Sequence, residues 1–168
     1  QSGGHGTASA IQLRGMPKRY STVYIDGVKM SDPSSVSGDF DFNNILTSQV
    51  SRVEILKGNQ SSIYGSGAIG GTIHIFTKQG KSGFSKDILY VTGSHNTHNL
   101  SASLSGGNNS SKYHLGLQRF QTDGISQMTH NDEKDRYRNN GLIASYSKKF
   151  TDKIEVQSNA RVAETYLQ

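Results

Sequence analysis

The chain has 168 residues, 32% hydrophobic and 18% charged, with a formal charge of +5 and an isoelectric point near 9.4. Its mean hydropathy of −0.60 and the want of any long apolar run exclude a transmembrane helix, but not barrel strands, whose alternating faces dilute their own signal. The absence of cysteine excludes disulfide frameworks and Cys-ligated metals, and the scattered Lys and Arg lack the basic helix or aromatic platform of a nucleic-acid reader.

In chain order, residues 1–10 are small and polar and read as a loop. Ile11 and Leu13 alternate with Gln12 and Arg14 and stop at Gly15, which predicts a short strand. Residues 16–21 form a connection carrying Lys18, Arg19 and Tyr20. Between two β-prone arms, Asp26-Gly27 predicts a hairpin. Residues 31–42 are polar and turn-rich, closed by Phe40 and Phe42. Asn43 is placed to cap a short helix with Ile45, Leu46, Gln49 and Val50 on one face.

The most informative stretch is 50–78. Arg52-Val53-Glu54-Ile55 alternates as a half-buried strand does, and Gly58-Asn59 breaks it. Asn59 can cap a helical turn over 60–64, with Gly65 ending it. Gly65, Gly67, Gly70 and Gly71 then give a dense, tightly folded connection before a second alternating strand through Ile73 and Ile75. Gly65-x-Gly67-x-x-Gly70 also spells the dinucleotide fingerprint, with Asp87 downstream. That fingerprint needs a helix opening on its last glycine, and a strand follows here instead, so the glycines read as shaping a β connection.

Residues 79–84 read as a linker. Beyond them five alternating segments follow: 87–93, then those of Leu100, Ala102 and Leu104, of Tyr113, Leu115 and Leu117, of Leu142, Ala144 and Tyr146, and of Ile154 to Val162. The turns at 106–111 and 150–153 are tight, whereas 122–136 is long and charged. A transmembrane barrel has this asymmetry, and a soluble sandwich gives similar alternation.

Enzyme constellations are thin. None of the six histidines stands at helical spacing beside a carboxylate, and no G-x-S-x-G elbow surrounds Ser61, Ser62 or Ser66. His95 and His98 flank an expected turn, where they read as metal donors or, better, as turn polarity. Asp123, Asp132, Glu133 and Asp135 offer oxygen ligands on a flexible loop, which suits Ca²⁺, while the interleaved Lys134 and Arg136 suit a solvated loop face.

Taken together, Arg14-Gly15, Ile25-Asp26-Gly27, Asp32-Pro33, the run from Val53 to Gly58, Ile63-Tyr64-Gly65 and Gly70-Gly71 stand in an order and spacing that resembles the plug domain of TonB-dependent outer-membrane receptors. The resemblance covers about residues 3–78 and is nearest to the vitamin B12 receptor branch. It implies a mixed α+β plug (1–80), a linker (81–85) and the first antiparallel strands of a transmembrane β-barrel (86–168), a fragment of a plugged barrel without its two ends. Such a receptor binds a cobalamin-like compound or a ferric siderophore, sits in the bacterial outer membrane among its lipids, and draws energy from a TonB-type coupling protein. It is not an enzyme and binds no nucleic acid. A soluble β-rich binding or adhesion module is the alternative.

The same resemblance implies roles for residues. Ligand contacts fall on the plug apices, at Lys18, Arg19, Tyr20, Asp39, Phe40 and Phe42. Arg14, Arg52 and Lys57 stand at or near positions where the family keeps arginine, and are expected to lock the plug to wall carboxylates such as Glu155. Lys57 departs from arginine and loses bidentate pairing. In the B12 branch the corresponding long loop holds calcium, which puts Asp123, Asp132 and Asp135 forward as ligands.

Overall fold

The computed structural model describes residues 7, 9–32, 38, 40–45, 47–125 and 135–167. They divide into two compact units, Thr7–Asn43 with Val50–Thr77, and Asn44–Gln49 with Lys78–Gln168.

In the first unit, strands β1 (Ser21–Ile25) and β2 (Val28–Met30) form the hairpin that Asp26-Gly27 predicts. Asp26 and Gly27 both take positive φ, 49° and 84°, which matches the twist of the flanking strands. Strand β3 (Val50–Lys57) leads through the helical turn α1 (Ser61–Tyr64) to β4 (Gly71–Thr77). The sheet order is β2-β1-β4-β3, with β1 parallel to β4 and the other pairs antiparallel. Val23 and Ile25 lie beside Ile73 and Ile75 and are buried with them, so the two central strands supply the core. β3 is an edge strand, and its Val53 and Ile55 are exposed in place of the half-buried face that their alternation predicts. The Asn59 side chain accepts the Ser61 amide at 3.0 Å in an Asx turn ahead of α1, whose N-cap position falls on Gln60 in place of the expected Asn59 and carries no side-chain cap bond.

Two short elements differ from expectation. Ile11 and Leu13 form no strand: Arg14 and Gly15 take φ of 54° and 71°, and the Met16 amide donates to the Leu13 carbonyl at 3.0 Å. Leu13 is buried from a tight turn, which mimics one face of a strand. The helix expected after Asn43 is replaced by two 3-10 turns, Phe42–Asn44 and Thr47–Gln49; Leu46 lies outside the described residues. The second turn is held from outside. Ser48 Oγ donates to Gln118 Oε1, and the Gln49 carbonyl accepts the Lys78 amide at 2.9 Å.

In the second unit, β5 (Gly83–Gly93), β6 (Thr97–Gly107), β7 (Ser111–Thr122), β8 (Tyr137–Thr151) and β9 (Ile154–Leu167) form one antiparallel sheet in chain order. The first strand begins at Gly83, earlier than 87, because Gly83 and Phe84 pair with Gly107 and Gly106. Register sorts the side chains into two faces. Leu104, Leu115, Ala144 and Ala160 make one row of the apolar face, and Ser105, His114, Ser145 and Asn159 one row of the polar face. On the polar face Ser105, His114 and Ser145 are buried, while Leu115 and Leu117 on the other are exposed. β5 and β9 end the sheet, which is not closed among the described residues. No described helix is long and apolar enough to cross a membrane, which leaves crossing by strands open.

Candidate functional site

The glycine-rich connection of the first unit is built around the loop that carries Lys18, Arg19 and Tyr20. Those three residues form a single 3-10 turn after Pro17. The Gly70 amide donates to the Tyr20 carbonyl at 2.9 Å. A Cβ at Gly70 would lie 3.1 Å from that same oxygen and 3.3 Å from Met16 Cβ. One at Gly67 would lie 3.1 Å from Thr22 Oγ1, and one at Gly71 would collide with the Leu56 carbonyl. Side chains are therefore excluded where the connection passes the loop, and the loop is fixed by backbone contact. Lys18 and Arg19 remain exposed, with Arg19 lying 5.0 Å over the Tyr20 ring.

Phe40 and Phe42 pack edge to face at 5.1 Å. Asp41 organises this corner: its Oδ1 accepts the Ser9 and Asn43 amides, both at 3.0 Å. Phe42 donates its own amide to the Ser9 carbonyl at 2.9 Å. Lys18, Phe40 and Phe42 then share the lining of one cavity of about 10 Å³ with Ser21 and Val23. Three of the six expected contact residues thus meet, and Arg19 and Tyr20 follow Lys18 in its turn; Asp39 lies outside the described residues. Asp41, absent from the sequence reading, was legible as a turn-forming aspartate between two aromatics.

The expected lock cations all lie in the first unit. Arg14 is exposed in its positive-φ turn and Lys57 is exposed at the end of β3. Arg52 Nε meets Glu54 Oε1 at 2.7 Å, and its guanidinium lies 3.7 Å over the Phe76 ring. In the second unit Glu155 stands opposite Lys149 and shares its strand face with Gln157, whose amide donates to Gln79 Oε1 at 3.0 Å. Of the expected calcium ligands, Asp132 lies outside the described residues, as does Glu133. Asp123 and Asp135 converge at the loop base, where a Cβ on Gly124 would strike the Asp135 carbonyl. Arg136 Nε stands 3.7 Å from Asp123 Oδ1. No group of three metal-ligating side chains gathers among the described residues, which do not include Asp132. His98 is occupied otherwise, accepting or donating to the Tyr90 hydroxyl at 2.8 Å and Asn96 at 2.9 Å.

Residues 1–72 match the TonB-dependent Receptor Plug Domain family. The vitamin B12 transporter of Photobacterium profundum is 30% identical over 146 residues, which cover 85% of this chain and 24% of that protein. The chain thus spans about a quarter of the length of this curated relative. Among solved structures, a ferric enterobactin receptor variant from Pseudomonas aeruginosa in complex with enterobactin aligns over 90% of this chain and 26% of its own, at 22% identity and a TM-score of 0.71. The siderophore receptor of Acinetobacter baumannii aligns over 92% and 25%, at 18% identity and a TM-score of 0.74. These relatives are receptors and transporters, not enzymes. The chain belongs to the TonB-dependent receptors, similar in sequence to their vitamin B12 branch, and comprises a plug domain followed by antiparallel strands of an unclosed barrel wall.

Proposed function

We propose that the complete receptor imports a scarce nutrient, a cobalamin-like compound or a ferric siderophore, across the bacterial outer membrane into the periplasm. The observation that carries this reading is the plug match together with the 30% identity to a vitamin B12 transporter. The glycine-fixed loop supports it by presenting Lys18 beside the Phe40–Phe42 pair, with Arg19 and Tyr20 in the same 3-10 turn. Cations next to aromatic faces suit an anionic chelate or a large corrinoid. As membership of this family implies, energy comes from a TonB-type partner acting on the plug. The exposed aliphatic rows of the second sheet count against the soluble adhesion module.

The test is uptake of labelled cobalamin and of ferric siderophores by a deletion strain carrying the complete gene. Energy-dependent uptake of one of them is expected. Uptake of neither, in cells whose outer membrane contains the protein, would end the importer reading.

A further inference from the structure

The short-turn end of the second sheet carries a charge pattern that nutrient import does not use. Lys81 stands just before β5, Lys112 lies at the start of β7, Lys148 and Lys149 near the end of β8, and Lys153 just before β9. Lys112 is half-buried and the other four are exposed. Among the described residues, only Asp152 and Glu155 oppose these lysines at the rim; one row further in, Lys86 and Asp87 offset each other. The opposite end of the sheet is mixed in sign, with Asp123 and Glu164 standing among Arg119, Arg136 and Arg138.

The rim is a stiff frame. The Asn108 side chain accepts the Ser110 and Ser111 amides at 2.9 and 2.8 Å, and the Asn108 amide donates to the Ser111 carbonyl at 2.8 Å. The Lys149 amide donates to the Ser110 carbonyl, also at 2.8 Å, and so joins this turn to the end of β8. Lys149 Nζ meets Asp152 Oδ1 at 2.8 Å, but both partners are exposed and water screens the pair.

At about 4.8 Å between strands, the edge from β5 to β9 spreads its cations over about 19 Å. One small anion cannot bridge that row. A polymer with repeated negative groups can, because neighbouring lysines act on it jointly within a Debye length of about 8–10 Å. Lys112 and Lys149 hold polar-face positions, in register with Ser147 and Glu155 and opposite to the aliphatic rows, so the rim is more than an edge of the lipid-facing surface. Between the lysines, Asn108, Asn109 and Ser110 are exposed and offer donors and acceptors to hydroxyl and amide groups.

Short turns lie on the periplasmic side of an outer-membrane barrel. We propose that this rim docks on the carboxylate-bearing glycan–peptide polymer of the cell wall. Its peptide carboxylates meet the lysines, and its amides and hydroxyls meet the turn at 108–110. The inference rests on the outer-membrane reading.

The complete receptor in phosphatidylcholine nanodiscs is sedimented with isolated cell-wall sacculi, with sacculi stripped of their peptides by an amidase, and with phosphatidylglycerol vesicles. Binding to intact sacculi is expected, weakened by added salt and lost on the stripped ones. The triple variant Lys112→Gln/Lys149→Gln/Lys153→Gln should weaken it at least about tenfold. Arginine at the same three positions keeps the charge and should retain binding. Equal binding to stripped sacculi, binding unchanged in the glutamine variant, or stronger binding to the vesicles overturns the proposal. Cell fractionation and nutrient uptake are followed in parallel. A receptor that reaches the outer membrane and imports normally, yet ignores sacculi, loses this inference alone; one absent from that membrane loses the import reading too.

Discussion

The Tyr20 carbonyl accepts the Gly70 amide at 2.9 Å, and this bond joins the loop of candidate ligand contacts to the glycine-rich connection 50 positions later. Lys18 and Arg19 therefore project from a turn whose backbone is fastened at its far end, not from a free loop. Pre-set geometry of this kind reduces the ordering cost of binding.

Alanine at the three close-approach glycines should be graded in its effect. Gly71→Ala meets both a φ of +141° and the Leu56 carbonyl, and should cost about 3 kcal/mol or more. Gly70→Ala and Gly67→Ala press on neighbours at 3.1 Å, and about 1–2 kcal/mol is expected for each. Hydrogen exchange at the amides of the first unit in the complete receptor would rank them. Equal effects would contradict the steric account.

The charge on the loop should matter for ligand and not for folding. Lys18→Ala and Arg19→Ala remove exposed cations and should each weaken an anionic ligand about tenfold. Surface replacements of this sort leave stability within about 0.5 kcal/mol. Equilibrium binding and thermal unfolding, measured on the same preparations, separate the two effects.

Asp26 ties the first hairpin to the end of β4. Its Oδ1 accepts the Thr77 amide at 2.9 Å and its Oδ2 the Thr77 hydroxyl at 2.6 Å. Asp26→Ala strands both donors and should destabilise by about 1–3 kcal/mol. Asp26→Asn, which keeps an acceptor, should recover part of that loss. Denaturant unfolding of the complete receptor is the measurement.

Arg52 offers a clean test of the proposed lock. As a pair exposed on both sides, Arg52–Glu54 is worth under about 1 kcal/mol. A locking role predicts a larger loss for Arg52→Met and Arg14→Met than for Glu54→Gln, together with easier plug release. If all three variants hold the plug and resist detergent equally, the lock is refuted.

Calcium should have to compete with Arg136 for Asp123, given their 3.7 Å separation. Calorimetric titration is therefore expected to show stronger calcium binding for Arg136→Gln than for the unaltered complete receptor. No heat from either at millimolar calcium removes the metal from consideration.

Much of this architecture was legible before any coordinates, because it rests on short-range chemistry. Asp26-Gly27 announces its turn through positive φ, and the alternation around Leu104, Leu115 and Ala144 declares two faces. What could not be read was which distant backbone each glycine touches: Gly70 against Tyr20, Gly71 against Leu56. Such approaches are set by sheet order, and parallel pairing of β1 with β4 leaves no local trace. Leu13 misled for a related reason, since one buried side chain on a turn looks like half of a strand. Arg52 was visible as a cation, but its ring partner Phe76 comes from cross-strand register.

Residues Asn44–Gln49 fold with the second unit although the chain on both sides of them folds with the first. Gln49 is buried, and its carboxamide covers Gly116, where any Cβ would displace it. Severing the molecule at Lys78 would consequently not yield a self-sufficient piece. The upstream product would keep six residues whose resting place had been cut away, and the downstream product would bare the bottom of that seat to water.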